Sequence, residues 1–122
     1  MRTKDTRPSD FLPLTPAVLH ILLAVADGDQ NGYAIAQAVE ELTEGTVRMG
    51  PGTLYGSIGR MVASGLLEES SRPRGRATDD ERRRFYRMTP LGRRVLESET
   101  NRLARVVALA RAKNVLRRPE PA

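Results

Sequence analysis

The stretch from residue 49 to residue 66 reads Met-Gly-Pro-Gly-Thr-Leu-Tyr-Gly-Ser-Ile-Gly-Arg-Met-Val-Ala-Ser-Gly-Leu, and it restricts the fold more than any other part of the chain. Leu54, Ile58, Met61 and Val62 recur at helical spacing and form one apolar stripe, with Leu66 just past its end. Pro51 stands where a first helical residue belongs, because its fixed φ suits that position and its missing N–H has no helical partner there. Gly65 stands where a left-handed glycine closes a helix. Together these signals predict a helix over residues 51–65. At about 100° per residue, the opposite face carries Gly52, Thr53, Gly56, Gly59, Arg60 and Ala63. A glycine inside a helix costs about 1 kcal/mol relative to Ala, so a face this small needs a reason. Two reasons fit: a second helix packing closely, or a flat, polar, anionic surface such as a DNA groove.

The sequence before this helix predicts two more. Thr15-Pro16 is a cap followed by a first-turn proline, and residues 17–26 are apolar nearly all round, as in a helix covered on several sides. His20 lies among them and reads as a packed or interface histidine rather than a ligand or base. Residues 27–32 form a turn. Asp27, Asp29, Asn31 and Gly32 imitate the start of a calcium loop, but Ala38 stands where the closing bidentate Glu belongs, which excludes that chemistry. Asn31 caps a helix over residues 32–43, with Ile35, Ala38, Val39 and Leu42 as its buried stripe. Tyr33 and Gln37 lie off that stripe, one turn apart, near the helix start. A hydroxyl beside free N–H groups can grip a phosphate there; simple packing of the Tyr33 ring is the plain alternative.

After Gly65 the period changes. Residues 66–71 and 84–89 read as short strands, the second with Tyr86 and Met88 on one face and Phe85 and Arg87 on the other. Residues 72–83 between them make a charged hairpin tip. Arg72, Arg74 and Arg76 alternate with Pro73 and Gly75, placing three guanidinium groups on a short segment that suits phosphates or a minor groove; a solvated loop is the alternative. Asp79, Asp80 and Glu81 oppose that use, and pairing with Arg82 to Arg84 is expected of them. Thr89-Pro90 opens a last helix that reaches about Leu116. Leu96, Leu103 and Ala110 recur every heptad, flanked by Val106 and Val107 and interrupted by Glu99, Thr100 and Lys113. So long a helix cannot bury its stripe on so small a domain, and pairing with a second copy is the natural outlet; folding back on the domain is the alternative. Residues 1–13 read as a loose arm with at most one turn near Phe11.

The whole is therefore mainly α with a small β-hairpin: a winged helix-turn-helix domain over residues 14–89, a long C-terminal dimerisation helix over 90–118, and a tail at 119–122. At 122 residues the chain makes one small domain. Its 20 basic residues, all Arg but Lys4 and Lys113, outnumber 15 acidic ones, and Arg suits bidentate contact with phosphate or guanine. With no Cys and a single His, the chain offers no disulfide framework, thiolate site or multi-histidine metal site. No nucleophile–base pair or phosphate loop is visible, so no enzyme and no cofactor is expected. The apolar run at residues 17–26 is too short to span a bilayer, no signal peptide is expected, and the composition suits a reducing cytoplasm.

The chain also resembles the PadR-like transcriptional regulators. The resemblance rests on Asn31-Gly-Tyr33, on Pro51-Gly-Thr-Leu-Tyr55, on Arg60-Met with Ser64-Gly-Leu-Leu-Glu68, and on Arg84-Phe-Tyr-Arg-Met-Thr89 leading to Gly92-Arg93. It covers about residues 14–96. Membership implies a homodimeric bacterial repressor, cytoplasmic, that sets its winged helix on palindromic double-stranded operator DNA and dimerises through the C-terminal helix. Carried over by position, Tyr33, Gly52, Thr53 and Tyr55 fall at the DNA with the wing arginines nearby. The expected DNA-contacting set is thus Tyr33, Gln37, Gly52, Thr53, Tyr55, Gly56, Arg60, Arg72, Arg74 and Arg76, and the expected dimer set is Leu96, Leu103, Val106, Val107 and Ala110. The single long helix after the wing marks the short-tailed kind of member. Some members hold flat aromatic ligands between subunits through tryptophan; with three Tyr, two Phe and no Trp here, a small-molecule effector stays open and unidentified. Two other functions use the same features: a basic adaptor working through protein contacts, and an RNA reader, for which exposed aromatics are few.

Overall fold

The computed structural model of the chain describes residues 7–70 and 84–116. A short 3-10 turn, Pro8–Phe11, leads to α1 (Pro16–Ala24), β1 (Gln30–Asn31), α2 (Gly32–Leu42), α3 (Pro51–Ala63), β2 (Leu67–Ser70), β3 (Phe85–Met88) and α4 (Pro90–Ala112).

Side chains start three of the helices. The Thr15 hydroxyl accepts from the Val18 N–H, the Asn31 amide oxygen from Ala34 and the Thr89 hydroxyl from Gly92. α3 opens instead on Gly50, which has no side chain to offer. Three helices close on a residue with positive φ, at Glu44, Gly65 and Asn114. Behind each, the next N–H donates five residues back: Gly45 to Glu40, Leu66 to Met61 and Val115 to Ala110. Asn114 therefore ends α4 at Ala112, about a turn short of the expected Leu116, because Asn tolerates the left-handed conformation that stops a helix.

Ile21 and Leu22 of α1, Ile35 and Val39 of α2, Leu54, Ile58 and Met61 of α3, and Val95 of α4 meet in one buried cluster with Leu67 and Tyr86 of the sheet. Two expected core positions differ. Val62 is exposed and Ser57 takes its place, because Leu54, Ser57, Ile58 and Met61 form the tight stripe and Val62 falls at its margin. Leu42, the last residue of α2, points to solvent at 58% exposure.

Residues 7–14 are not loose. The 3-10 turn lies against α4, and the Leu14 N–H donates to Glu99 Oε2 at 3.1 Å. Glu99, 1% exposed, also takes Arg102 Nε on Oε1 at 2.7 Å and Nη2 on Oε2 at 3.0 Å. The Arg102 guanidinium holds the Glu99 carboxyl below the ordinary range; burial opposes this and the Leu14 N–H supports it. Glu99 is thus an anchor for the arm rather than an interruption in an apolar seam.

The sheet order is β1-β3-β2, all antiparallel, with Gln30 opposite Tyr86 and Leu67 opposite Met88. β1 was not expected from the sequence. It gives Asn31 two duties, since its backbone pairs with Phe85 while its side chain caps α2. The hairpin is thereby tied to the start of α2. At the other end, the Thr89 hydroxyl donates to the Gly65 carbonyl at 2.5 Å, and a Cβ on Gly92 would collide with the Leu66 carbonyl. The start of α4 is fused to the end of α3. No described helix is long and apolar enough to cross a membrane.

Candidate nucleic-acid interface

The buried stripe of α3 fixes which of its residues face out. With Leu54, Ser57, Ile58 and Met61 inward, Gly52, Thr53, Gly59 and Arg60 are exposed and Gly56 is half-buried. A Cβ built on Gly52 or Gly59 would meet nothing within 4 Å, so nothing in the chain's own packing requires glycine there. Arg60 folds back along the helix. Its Nη2 lies 3.4 Å from the Ser57 hydroxyl, and its Nη1 lies 3.5 Å from where a Gly56 Cβ would stand. The bare start of α3 completes this surface, since without a side-chain cap its first N–H groups, and the positive end of the helix dipole, stay available to an anion.

α2 supplies the neighbouring wall. Tyr33 is 70% exposed, and Gln37 lies one turn further along the same face. Both line an open groove with Ala36, Glu40, Arg48, Met49 and Gly50, so they sit beside the residue from which α3 starts. Arg48 Nε lies 3.7 Å from Glu40 Oε2 in that groove. Tyr55 is half exposed, and its ring covers Gly32; a Cβ on Gly32 would run into the phenol ring and hydroxyl. That close approach accounts for the glycine between Asn31 and Tyr33. The structure therefore puts Tyr33 and Gln37 beside the start of α3, lays Tyr55 on Gly32, and sets Gly52, Thr53, Gly56 and Arg60 along the side of α3 away from its buried stripe. Arg72, Arg74 and Arg76 lie outside the described residues.

The hairpin stem joins the same region through Tyr86, whose phenol is pushed up chiefly by burial, then by the charge of Glu69 and the nearby Tyr55, against Arg84. Sequence reasoning missed the stem's own charge pairs. Arg84 binds Glu69 at 3.2 Å and Arg87 binds Glu68 at 2.9 Å, each on the strand opposite; the expected pairing with Asp79 to Glu81 falls on residues outside the described ones. Opposite charges on two strands of one hairpin were the available signal. His20 donates through Nδ1 to the Pro16 carbonyl at 2.8 Å, a satisfied helical histidine.

The expected dimer stripe divides in two. Leu96 is only 7% exposed and belongs to the chain's own core, because the first half of α4 lies on the domain. Leu103 and Ala110 are partly covered, and Val106 and Val107 are 48% and 41% exposed, next to Leu109 at 60%.

Residues 18–98 match the model of the transcriptional regulator PadR-like family. A Streptomyces fradiae protein of 37.1 kDa from a transposon is 39% identical over 90 residues, 74% of this chain but 24% of that protein. A transcriptional regulator of Mycobacterium tuberculosis is 39% identical over 85 residues, 70% of this chain and 73% of its own length. This chain thus spans about a quarter of the first relative and nearly three quarters of the second. Among solved structures, a PadR family regulator of Clostridium difficile superposes with TM-score 0.65 at 20% identity, over 80% of this chain and 97% of the other. Bacillus subtilis PadR, solved in complex with operator DNA, gives TM-score 0.58 at 16% identity, over 89% and 52%. With a family match across most of its length, the chain belongs to the PadR-like family of transcriptional regulators.

Proposed function

We propose that this chain regulates transcription, as a repressor, by binding double-stranded operator DNA as a homodimer in the cytoplasm. In this reading one α3 enters a major groove in each half-site. Residues 72–83 of each copy follow the backbone or the minor groove, and the outer half of α4 joins the copies. The observation that carries the reading is the outward face of α3: glycines with open space beside them, Thr53, Arg60, and a helix start left uncapped. A core-packing role for those glycines would place neighbours against them, whereas a base-pair edge needs that clearance. Family membership and the operator complex of the Bacillus subtilis relative support the same reading.

The test is binding to a duplex enriched from random DNA. Wild-type affinity should fall about 10³–10⁵-fold between 50 and 200 mM salt if some 6–10 phosphates are neutralised. Arg60→Ala and Thr53→Ala should each weaken binding by up to about 1–3 kcal/mol, with sedimentation unchanged. Equal binding by the double variant would favour the protein-contact adaptor instead.

A further inference from the structure

The hairpin stem holds its arginines in pairs. Glu68 stands directly opposite Arg87, while Glu69 stands opposite Tyr86 and one diagonal step from Arg84. The guanidinium–carboxylate distances are 2.9 Å for Arg87–Glu68 and 3.2 Å for Arg84–Glu69. All four side chains are about half exposed, so the pairs sit on the surface rather than in the core. Arg84 and Glu69 occupy the end of the stem next to residues 71–83, the segment whose sequence carries Arg72, Arg74 and Arg76. Arg60 on α3 differs: it donates to the neutral Ser57 hydroxyl.

We propose, resting on the DNA-binding reading above, that Glu69 is a specificity-determining residue. It holds Arg84 in a pair that restrains the wing's attraction to any phosphate backbone, and Glu68 does the same to Arg87 with smaller effect. An exposed pair of this kind contributes little to folding, and a phosphate can compete for the guanidinium. When it does, the Glu69 carboxylate is left close to the duplex and repels it, so most of the gain from Arg84 is cancelled. Backbone attraction is the sequence-independent part of DNA affinity, whereas base contacts from α3 carry the sequence dependence. Damping the first while leaving the second intact raises the ratio of operator binding to random binding.

The experiment uses the full chain and a short duplex of random sequence, with affinity measured by fluorescence anisotropy across a salt series. Glu69→Gln should bind more tightly and steepen the slope of log affinity against log salt by about 0.9, the value for one further phosphate neutralised. The gain at 50 mM salt should then exceed that at 200 mM by about threefold. The melting temperature should stay close to wild type, which separates this effect from loss of the hairpin. Glu69→Gln combined with Arg84→Gln should return the slope to the wild-type value. An unchanged slope in folded Glu69→Gln would overturn the assignment, as would a steeper slope that persists without Arg84. A flat salt response of the wild type would instead strike the DNA-binding reading itself.

Discussion

The outward face of α3 and the outer half of α4 are both exposed helical surfaces, yet they are built in opposite ways. α3 shows Gly52, Thr53, Gly59 and Arg60 to solvent, small and polar, with open space beside two of the glycines. α4 shows Val106, Val107 and Leu109, apolar and large. The two helices even begin alike in sequence, each with a first-turn proline, but the Thr89 hydroxyl closes the start of α4 while Gly50 leaves that of α3 bare. Exposure alone does not tell what a surface is for; the side chains it keeps do. An apolar stripe gains by being removed from water and suits a second protein surface. A stripe of small and polar residues gains little from burial and suits a partner that must come close with its own polar edges.

The largest expected effect breaks the α4 side of this contrast. Val106→Glu with Val107→Glu would place charges in a dimer seam, and an unpaired buried charge costs several kcal/mol. Sedimentation should then show dimer association weakened by more than about a hundredfold, with the monomer still folded. An unchanged dimer would move the interface elsewhere.

Glu99 sharpens the boundary between the two halves of α4. Glu99→Gln removes the charge that holds Arg102 and the Leu14 N–H, and should lower stability at neutral pH by about 1.5–3 kcal/mol, the usual worth of hydrogen bonds to a charged group. The folded carboxyl lies below the ordinary range, chiefly because of the Arg102 hydrogen bond. Its contribution is therefore full above the unfolded pKa and is lost as pH falls through the folded one. The gap between the denaturant midpoints of the two proteins should narrow as pH falls below the ordinary carboxylate range; a gap that widens on acidification would contradict this reading.

The smallest effect is the most pointed. Gly59→Ala meets open space and should stabilise α3 by up to about 1 kcal/mol, while the added methyl weakens DNA binding. A melting curve and an anisotropy titration on one variant check both. Stabilisation with full DNA affinity would mean that the face does not approach a groove at Gly59.

Much of this contrast is legible in the sequence. Local signals act over a few residues, so Thr15-Pro16, Asn31, Pro51, Gly65 and Thr89-Pro90 mark helix ends that the structure places within a residue or two. The small face of α3 followed from the period of its apolar residues. What stayed hidden depends on distant partners. Glu99 reads as an interruption until Leu14, far away in sequence, arrives to donate to it. β1 is two residues long, too short to show any period, and exists because β3 passes beside it. Gly32 looks like a turn glycine until the Tyr55 ring lies on it. Leu96 fits the heptad as well as Leu103 does, and only the packing of α4 on its own domain separates the inward residue from the outward ones. The DNA-contacting and dimer roles of all these residues stand as proposals.

The central claim is that α3 reads DNA while the outer part of α4 pairs two copies. Selection of bound fragments from a random duplex pool, with the full-length chain, tests both halves at once. The account predicts an enriched inverted repeat whose half-site centres lie about 10 base pairs apart, or a multiple of that. A pool that stays random, or an enriched site with no two-fold symmetry, would contradict it.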